Sequence, residues 1–138
     1  YGPHEHYTPY RGFIPKFIYH ALNDKPYTVY QGHKRIIDYV EDSCKTFANI
    51  VDNFIPGEVY NVGGKEETTI YEMAKIIGNK FNKEVVKGKV NNDIASSAPK
   101  RVSISLNRYK EEFGEFEVIS FKNGMENYLN WYKEELEI

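Results

Sequence analysis

The sequence predicts an α/β fold. Apolar stripes at helical spacing alternate along it with short β-branched or aromatic runs. One helix start is marked by a capping box, Thr69-Ile70-Tyr71-Glu72. The run Val59 to Val62 is apolar on both faces, as a strand inside a parallel sheet would be. The strand candidates are short and number about four, at or below the usual count for one sheet.

The elements follow in order. Tyr1 to Arg11 carries Gly2, Pro3 and Pro9 and reads as an irregular loop. Phe13, Ile14, Phe17, Ile18, Ala21 and Leu22 make the stripe of a helix that Pro15 tolerates in its first turn and Pro26 stops. Tyr27 to Tyr30 is a strand, Gln31 to Lys34 a turn around Gly32, and Arg35 to Val40 a second extended segment. Asp42 or Ser43 caps a helix to about Asn53, whose apolar face is Cys44, Phe47, Ala48, Ile50, Val51 and Phe54. Glu58 to Val62 is a strand ended by Gly63-Gly64. The capping box opens the next helix, Glu84 to Val86 is a strand, and Lys87 to Lys100 is a polar loop. Val102 to Leu106 is extended, Asn107 to Phe113 is a short helix closed by Gly114, and Ser120 caps the last helix.

Composition narrows the function. At 138 residues the chain is one domain or part of one. A net charge of −2 suits neither nucleic acid nor a membrane surface as a bulk electrostatic partner. No apolar run approaches the ~20 residues that cross a bilayer, and no signal-peptide pattern is present. Cys44 is the one cysteine, so no internal disulfide forms; an inert, buried or half-buried thiol in a reducing cytoplasm is expected. Twelve tyrosines offer flat apolar faces with a hydroxyl, most of them as core filler.

Catalytic motifs are missing. There is no Gly-x-Gly-x-x-Gly, no Walker sequence, no Cys-x-x-Cys, no His-Glu-x-x-His and no serine elbow. Gly63-Gly64 reads as a plain turn, His4 and His6 as loop residues, and Glu66-Glu67 and Glu111-Glu112 as solvated acids. Arg35 stands out. A fixed cation beside an aromatic-rich strand suits an anionic, ring-bearing ligand. The residues alone describe a binding lobe without a complete active site.

Several motifs, in order, resemble the C-terminal part of the extended short-chain dehydrogenase/reductases, the NAD-dependent nucleotide-sugar epimerases and 4,6-dehydratases. Tyr1-Gly2-Pro3, Phe13 to Ile18, Val29-Tyr30 before Gly32, and Arg35 to Asp42 are similar to that family's Tyr-Gly-Pro, following helix, Val-Tyr-Gly and Arg-Asp-Phe-x-Tyr-Val-Asp-Asp. Val59 to Gly64 resembles Tyr-Asn-Val-Gly, Thr69 to Glu72 resembles Ser-Ile-x-Glu, and Gly124 to Tyr132 resembles the closing Gly-to-Trp-Tyr pattern.

The resemblance implies the fold more narrowly: the C-terminal substrate-binding lobe of an extended Rossmann-fold enzyme, residues 1–138, with the NAD domain missing. The strand near 59–62 would join that domain's sheet and, left unpaired, would drive self-association into a homo-oligomer. The resemblance also implies site roles. Arg35 would hold the nucleotide diphosphate, Thr28 and Tyr30 would line the base site, and Phe13 and Ile14 would pack near the nucleotide. Lys100 and Arg101 would give a second diphosphate or ribose contact. The partner would be a nucleotide-diphosphate sugar. NAD or NADP would be bound mainly by the N-terminal domain, with no cofactor on this chain. Three positions depart from the pattern: Ile36 and Ser105 replace aspartates, and Ala95 lies where an arginine is common. The family's glycine-rich loop and its Tyr-x-x-x-Lys lie upstream of Tyr-Gly-Pro, so the chain should be catalytically incomplete; Tyr71 to Lys75 spells the latter on a helix surface, out of family order. The alternative is a stand-alone, non-catalytic nucleotide-sugar-binding or interaction module.

Overall fold

A computed structural model describes residues 1–26, 28–30, 33–88 and 104–137, with the backbone alone for Tyr30. The helices are α1 (Phe13–Leu22), α2 (Val40–Asn53), α3 (Ile70–Lys80), α4 (Asn107–Phe113) and α5 (Phe121–Leu136), and the strands are β1 (Thr28–Tyr30), β2 (Lys34–Ile36), β3 (Glu67–Thr69) and β4 (Val86–Gly88). Among the described residues the strands form two small ladders. β1 pairs in parallel with β4, and β2 pairs antiparallel with β3.

α3 is the support for both ladders. It packs against α1 and α5 and touches β1 and β3. Its inward residues Met73, Ala74 and Ile77 are fully buried, as its periodicity requires. They meet Phe17, Ile18 and Ala21 of α1, Val29 of β1, and Met125, Tyr128 and Leu129 of α5 in one apolar cluster. The capping box forms as read: the Thr69 hydroxyl accepts the Glu72 N–H at 3.1 Å, and Glu72 accepts the Thr69 N–H at 3.0 Å. Thr69→Ala should cost about 1 kcal/mol in urea unfolding. Hydrogen bonds from the Thr69 hydroxyl and then its N–H hold the Glu72 carboxyl below the ordinary 4.5. Its contribution is therefore complete above that value and fades as pH falls through the folded-state value. The gap between Thr69→Ala and the parent should narrow in acid; a gap independent of pH would remove Glu72 from the cap.

The opening loop is fastened to both ends of the fold. The Tyr1 amino group donates to the Asp38 carbonyl at 2.8 Å and the Val40 N–H to the Tyr1 carbonyl at 2.9 Å, a bridge parallel to the segment entering α2. The Tyr128 and Tyr132 hydroxyls both donate to the Glu5 carbonyl. His4 and His6 lie on the Trp131 ring, with centroids 5.3 and 5.1 Å away.

Several expectations are corrected. α2 starts at Val40 with Tyr39 as N-cap and no side-chain cap; Asp42 instead accepts the Ile119 N–H at 2.8 Å. Cys44 is exposed, not buried, and Phe47, Val51 and Phe54 on the same face are more than half exposed. Residues 58–62 lie in no ladder, because a strand exists only by pairing and no described strand runs beside them. β4 lies two residues beyond its expected start, residues 104–106 form no strand, and β3 went unforeseen. Neither acid pair is merely solvated. Glu66 accepts the Phe121 N–H at 2.8 Å at the start of α5, Glu67 pairs with Lys34 at 3.3 Å, and Glu112 accepts the Tyr60 hydroxyl.

Candidate functional site

The antiparallel β2–β3 ladder sets Arg35. Its register places Lys34 opposite Thr69, Arg35 opposite Thr68, and Ile36 opposite Glu67. The Ile70 N–H donates to the His33 carbonyl at 3.1 Å, tying the strand entry to the start of α3. Arg35 therefore stands on a strand locked to the core helix. Its side chain is half-buried, and its guanidinium Nη1 donates to the Lys34 carbonyl at 2.7 Å. Beside it, the Lys34 ammonium is neutralised by Glu67 at 3.3 Å. A planar guanidinium in that position can offer parallel N–H donors to two phosphate oxygens once it leaves the carbonyl.

The remaining candidates are distributed over other elements. Phe13 opens α1, half-buried, 5.8 Å from the Phe17 ring. Ile14 is 4% exposed and belongs to the core cluster. Thr28 is exposed on β1 while Val29 is buried. Thr28 and Arg35 stand in separate ladders, brought to one body by α3. The Tyr30 ring, Ala95, Lys100 and Arg101 lie outside the described residues.

Sequence reasoning missed His33. The residue is 8% exposed, two positions before Arg35, and among the described residues its Nδ1 has no hydrogen-bond partner. Its position between the turn glycine and the two cations was the only signal.

A cavity of about 380 Å³ lies elsewhere, lined by Tyr1, Asp38, Asp42, Gly64, Glu66 and Phe121 among others, and by none of the candidates. Its carboxylates are already engaged with main-chain N–H groups: Asp38 with Gly64, Asp42 with Ile119, Glu66 with Phe121. Burial is the main cause that pushes the Tyr1 phenol upward, followed by the nearby Tyr39, Asp42, Glu66 and Asp38. The cavity is a seam that clamps α2, the 62–66 turn and the start of α5. The Gly63-Gly64 turn does not fit a dinucleotide phosphate, since the Gly64 N–H is taken by Asp38. Among the described residues no three or more His, Cys, Asp or Glu side chains gather to hold a metal, and no helix is long and apolar enough to cross a membrane.

No family model matches the chain. Individual relatives do. It is 28% identical, over 97% of its length, to the UDP-N-acetyl-alpha-D-glucosaminuronate decarboxylase of Bacillus cytotoxicus. It is 28% identical, over 96% of its length, to the dTDP-glucose 4,6-dehydratase of Escherichia coli. It spans 44% and 39% of those two proteins. Among solved structures, an epimerase of Methanothermobacter thermautotrophicus matches with TM-score 0.86 at 27% identity, covering 99% of this chain and 41% of that one. The dTDP-glucose 4,6-dehydratase DesIV of Streptomyces venezuelae, with NAD and TYD bound, matches with TM-score 0.80 at 25% identity, covering 97% and 41%. The match falls on the C-terminal part of the NAD-dependent epimerase/dehydratase enzymes.

Proposed function

We propose that this chain, homologous to the C-terminal part of the NAD-dependent nucleotide-sugar epimerases and dehydratases, is the portion that holds the nucleotide-diphosphate sugar in an epimerase or 4,6-dehydratase. The observation that carries this reading is Arg35, a half-buried side chain on a strand whose antiparallel ladder with β3 leads into the core helix. The arginine would exchange the Lys34 carbonyl for two diphosphate oxygens. Thr28 and Tyr30 would face the base, Phe13 would give an apolar edge supported by Ile14 beneath, and Lys100 and Arg101 would supply the second anionic contact. Orientation of the sugar is the chain's contribution to the rate. The nicotinamide chemistry and the proton-moving pair would belong to the larger part of the relatives that this chain does not span, so the chain alone would be inactive.

Calorimetry with dTDP and UDP tests the reading. Arg35→Ala should weaken diphosphate binding at least ~10-fold, more than ~1.4 kcal/mol, the worth of a charge-assisted hydrogen bond, and should leave nucleoside binding unchanged. Equal affinities in parent and variant, or a folded chain that takes neither diphosphate, would overturn it.

A reducing, cytoplasmic setting belongs to the same reading and is supported by the exposed free thiol of Cys44. Association between copies belongs to it as well. Val59 is 76% exposed in a segment that pairs with no strand among the described residues. Sedimentation of the isolated chain at high concentration should show dimers or larger species, and a strict monomer would end that part.

A further inference from the structure

The candidate site carries one buried group that the proposed function does not use. His33 is 8% exposed, and among the described residues its Nδ1 has no hydrogen-bond partner. A buried polar atom left without a partner costs stability, and such atoms are rare in native folds. The Ile70 N–H donates to the His33 carbonyl at 3.1 Å, one step beyond the Lys34–Thr69 pair, so His33 continues the register of β2. Side chains alternate along an extended strand. His33 and Arg35 therefore share one face of the ladder, and Lys34 and Ile36 the other. Opposite Arg35 on the shared face is Thr68, also 8% exposed. The shared face is the inner one, and Arg35 is its half-buried member.

Of the elements joined to His33, β2 brings the charges of Lys34 and Arg35, β3 brings Glu67, and the first turn of α3 brings Glu72. Glu67 pairs with Lys34 at 3.3 Å, and Glu72 is held by the Thr69 hydroxyl and N–H. Arg35 is a permanent cation on the ring's own face, and a second positive charge beside it is disfavoured. A dianion held by Arg35 reverses that balance. Imidazole is the side chain whose ordinary charge change falls between about pH 5 and 8. Nδ1 can take a proton from solvent without giving up a hydrogen bond to any described residue. We propose that His33 couples binding at Arg35 to a proton: the diphosphate of a nucleotide sugar draws a proton onto the buried imidazole, so the site binds more tightly as pH falls. The inference rests on the reading that Arg35 holds the diphosphate.

Calorimetry with UDP-glucose and dTDP-glucose at about pH 8 and about pH 5.5 tests the coupling. Both phosphates of these ligands are diesters and lack the ionisation near pH 6 of a terminal phosphate, so the ligand's own charge stays constant. Affinity should rise at least ~5-fold at the lower pH, and buffers of different ionisation heat should reveal a fraction of a proton taken up on binding. His33→Gln should abolish both the rise and the uptake. Equal affinities at the two pH values, in a chain whose binding Arg35→Ala weakens, would overturn the coupling and leave the reading of Arg35 standing. Absent binding, or binding that ignores Arg35→Ala at both pH values, would overturn that reading and the coupling with it. A rise that persists in His33→Gln would assign the proton to another group and overturn the coupling as well. Should His33→Gln not fold, the imidazole C–H resonances of the parent decide. The chain has four histidines. The other three are assigned by replacing His4, His6 and His20, none of which is buried. The resonance left over should hold its proton to higher pH with UDP-glucose bound, and an unmoved resonance would overturn the proposal.

Discussion

Tyr128→Ala is expected to lower the unfolding free energy by about 3–5 kcal/mol, the range for emptying an aromatic site in a core. The ring is fully buried at the crossing of α5 with the opening loop, with centroids 5.2 Å from Tyr132, 6.0 Å from Trp131 and 6.3 Å from Tyr1. Its hydroxyl donates to the Glu5 carbonyl, which the Tyr132 hydroxyl also reaches at 3.1 Å. Tyr128→Phe should therefore cost only about 1 kcal/mol, since the carbonyl keeps one donor. Urea unfolding followed by the single tryptophan, Trp131, measures both. A small effect of the alanine, below about 2 kcal/mol, would show that the loop does not pack on α5. Burial first, then Tyr132 and Glu5, pushes the Tyr128 phenol upward. A raised folded-state value contributes stability below the ordinary 10.0, and that stability is lost as pH rises through the folded-state value.

Gly124→Ala sets two terms of opposite sign against each other. In an open helix position the change gains about 1 kcal/mol of propensity. A methyl at Gly124 would press on the Tyr1 hydroxyl inside van der Waals contact, and would lie 3.1 Å from Ile119 Cγ2 and 3.2 Å from Tyr39 Cδ2. Tyr1 and Tyr39 are both packed rings, 5.5 Å apart, and neither can swing away freely. Overpacking of this kind costs about 1–3 kcal/mol. A net loss of about 1–2 kcal/mol is expected for the alanine and a larger one for Gly124→Val. A stabilised alanine variant in the same unfolding experiment would mean that Tyr1 does not sit against α5.

These two sites show which parts of the fold were legible. α1, α3 and α5 could be read because each buries a 3.6-period stripe in the same cluster, and local chemistry at Thr69 and Ser120 marks where two of them start. α2 has an equally clear stripe, and there periodicity misled. It announces that a face will be covered without saying by what, so Cys44 and Phe47 looked like core. β3 escaped notice because Glu67-Thr68-Thr69 is polar and only Thr68 is buried. The seat of α4 was equally hidden. It hangs on Arg108–Glu58, Tyr60–Glu112 and Asn61 to the Ser105 carbonyl, pairs 44–52 residues apart that no local pattern encodes. At the candidate site, Arg35 was visible as a residue type at a strand entry. The burial of His33 was not, because the strand it enters pairs with β3, more than thirty residues away.

The tie between Glu5 and α5 has a consequence for how the protein is made. The bond from Tyr128 to Glu5 spans 123 residues, and that from Tyr1 to Phe121 spans 120. Closing a loop of that length costs about 4 kcal/mol of chain entropy before any contact repays it. Neither contact can form on a ribosome until α5 has left the exit tunnel. The 1–11 loop must therefore wait for its partners on α5 while α1 and α3 pair. Emergence of α5, rather than of α1, should set the moment at which this core closes.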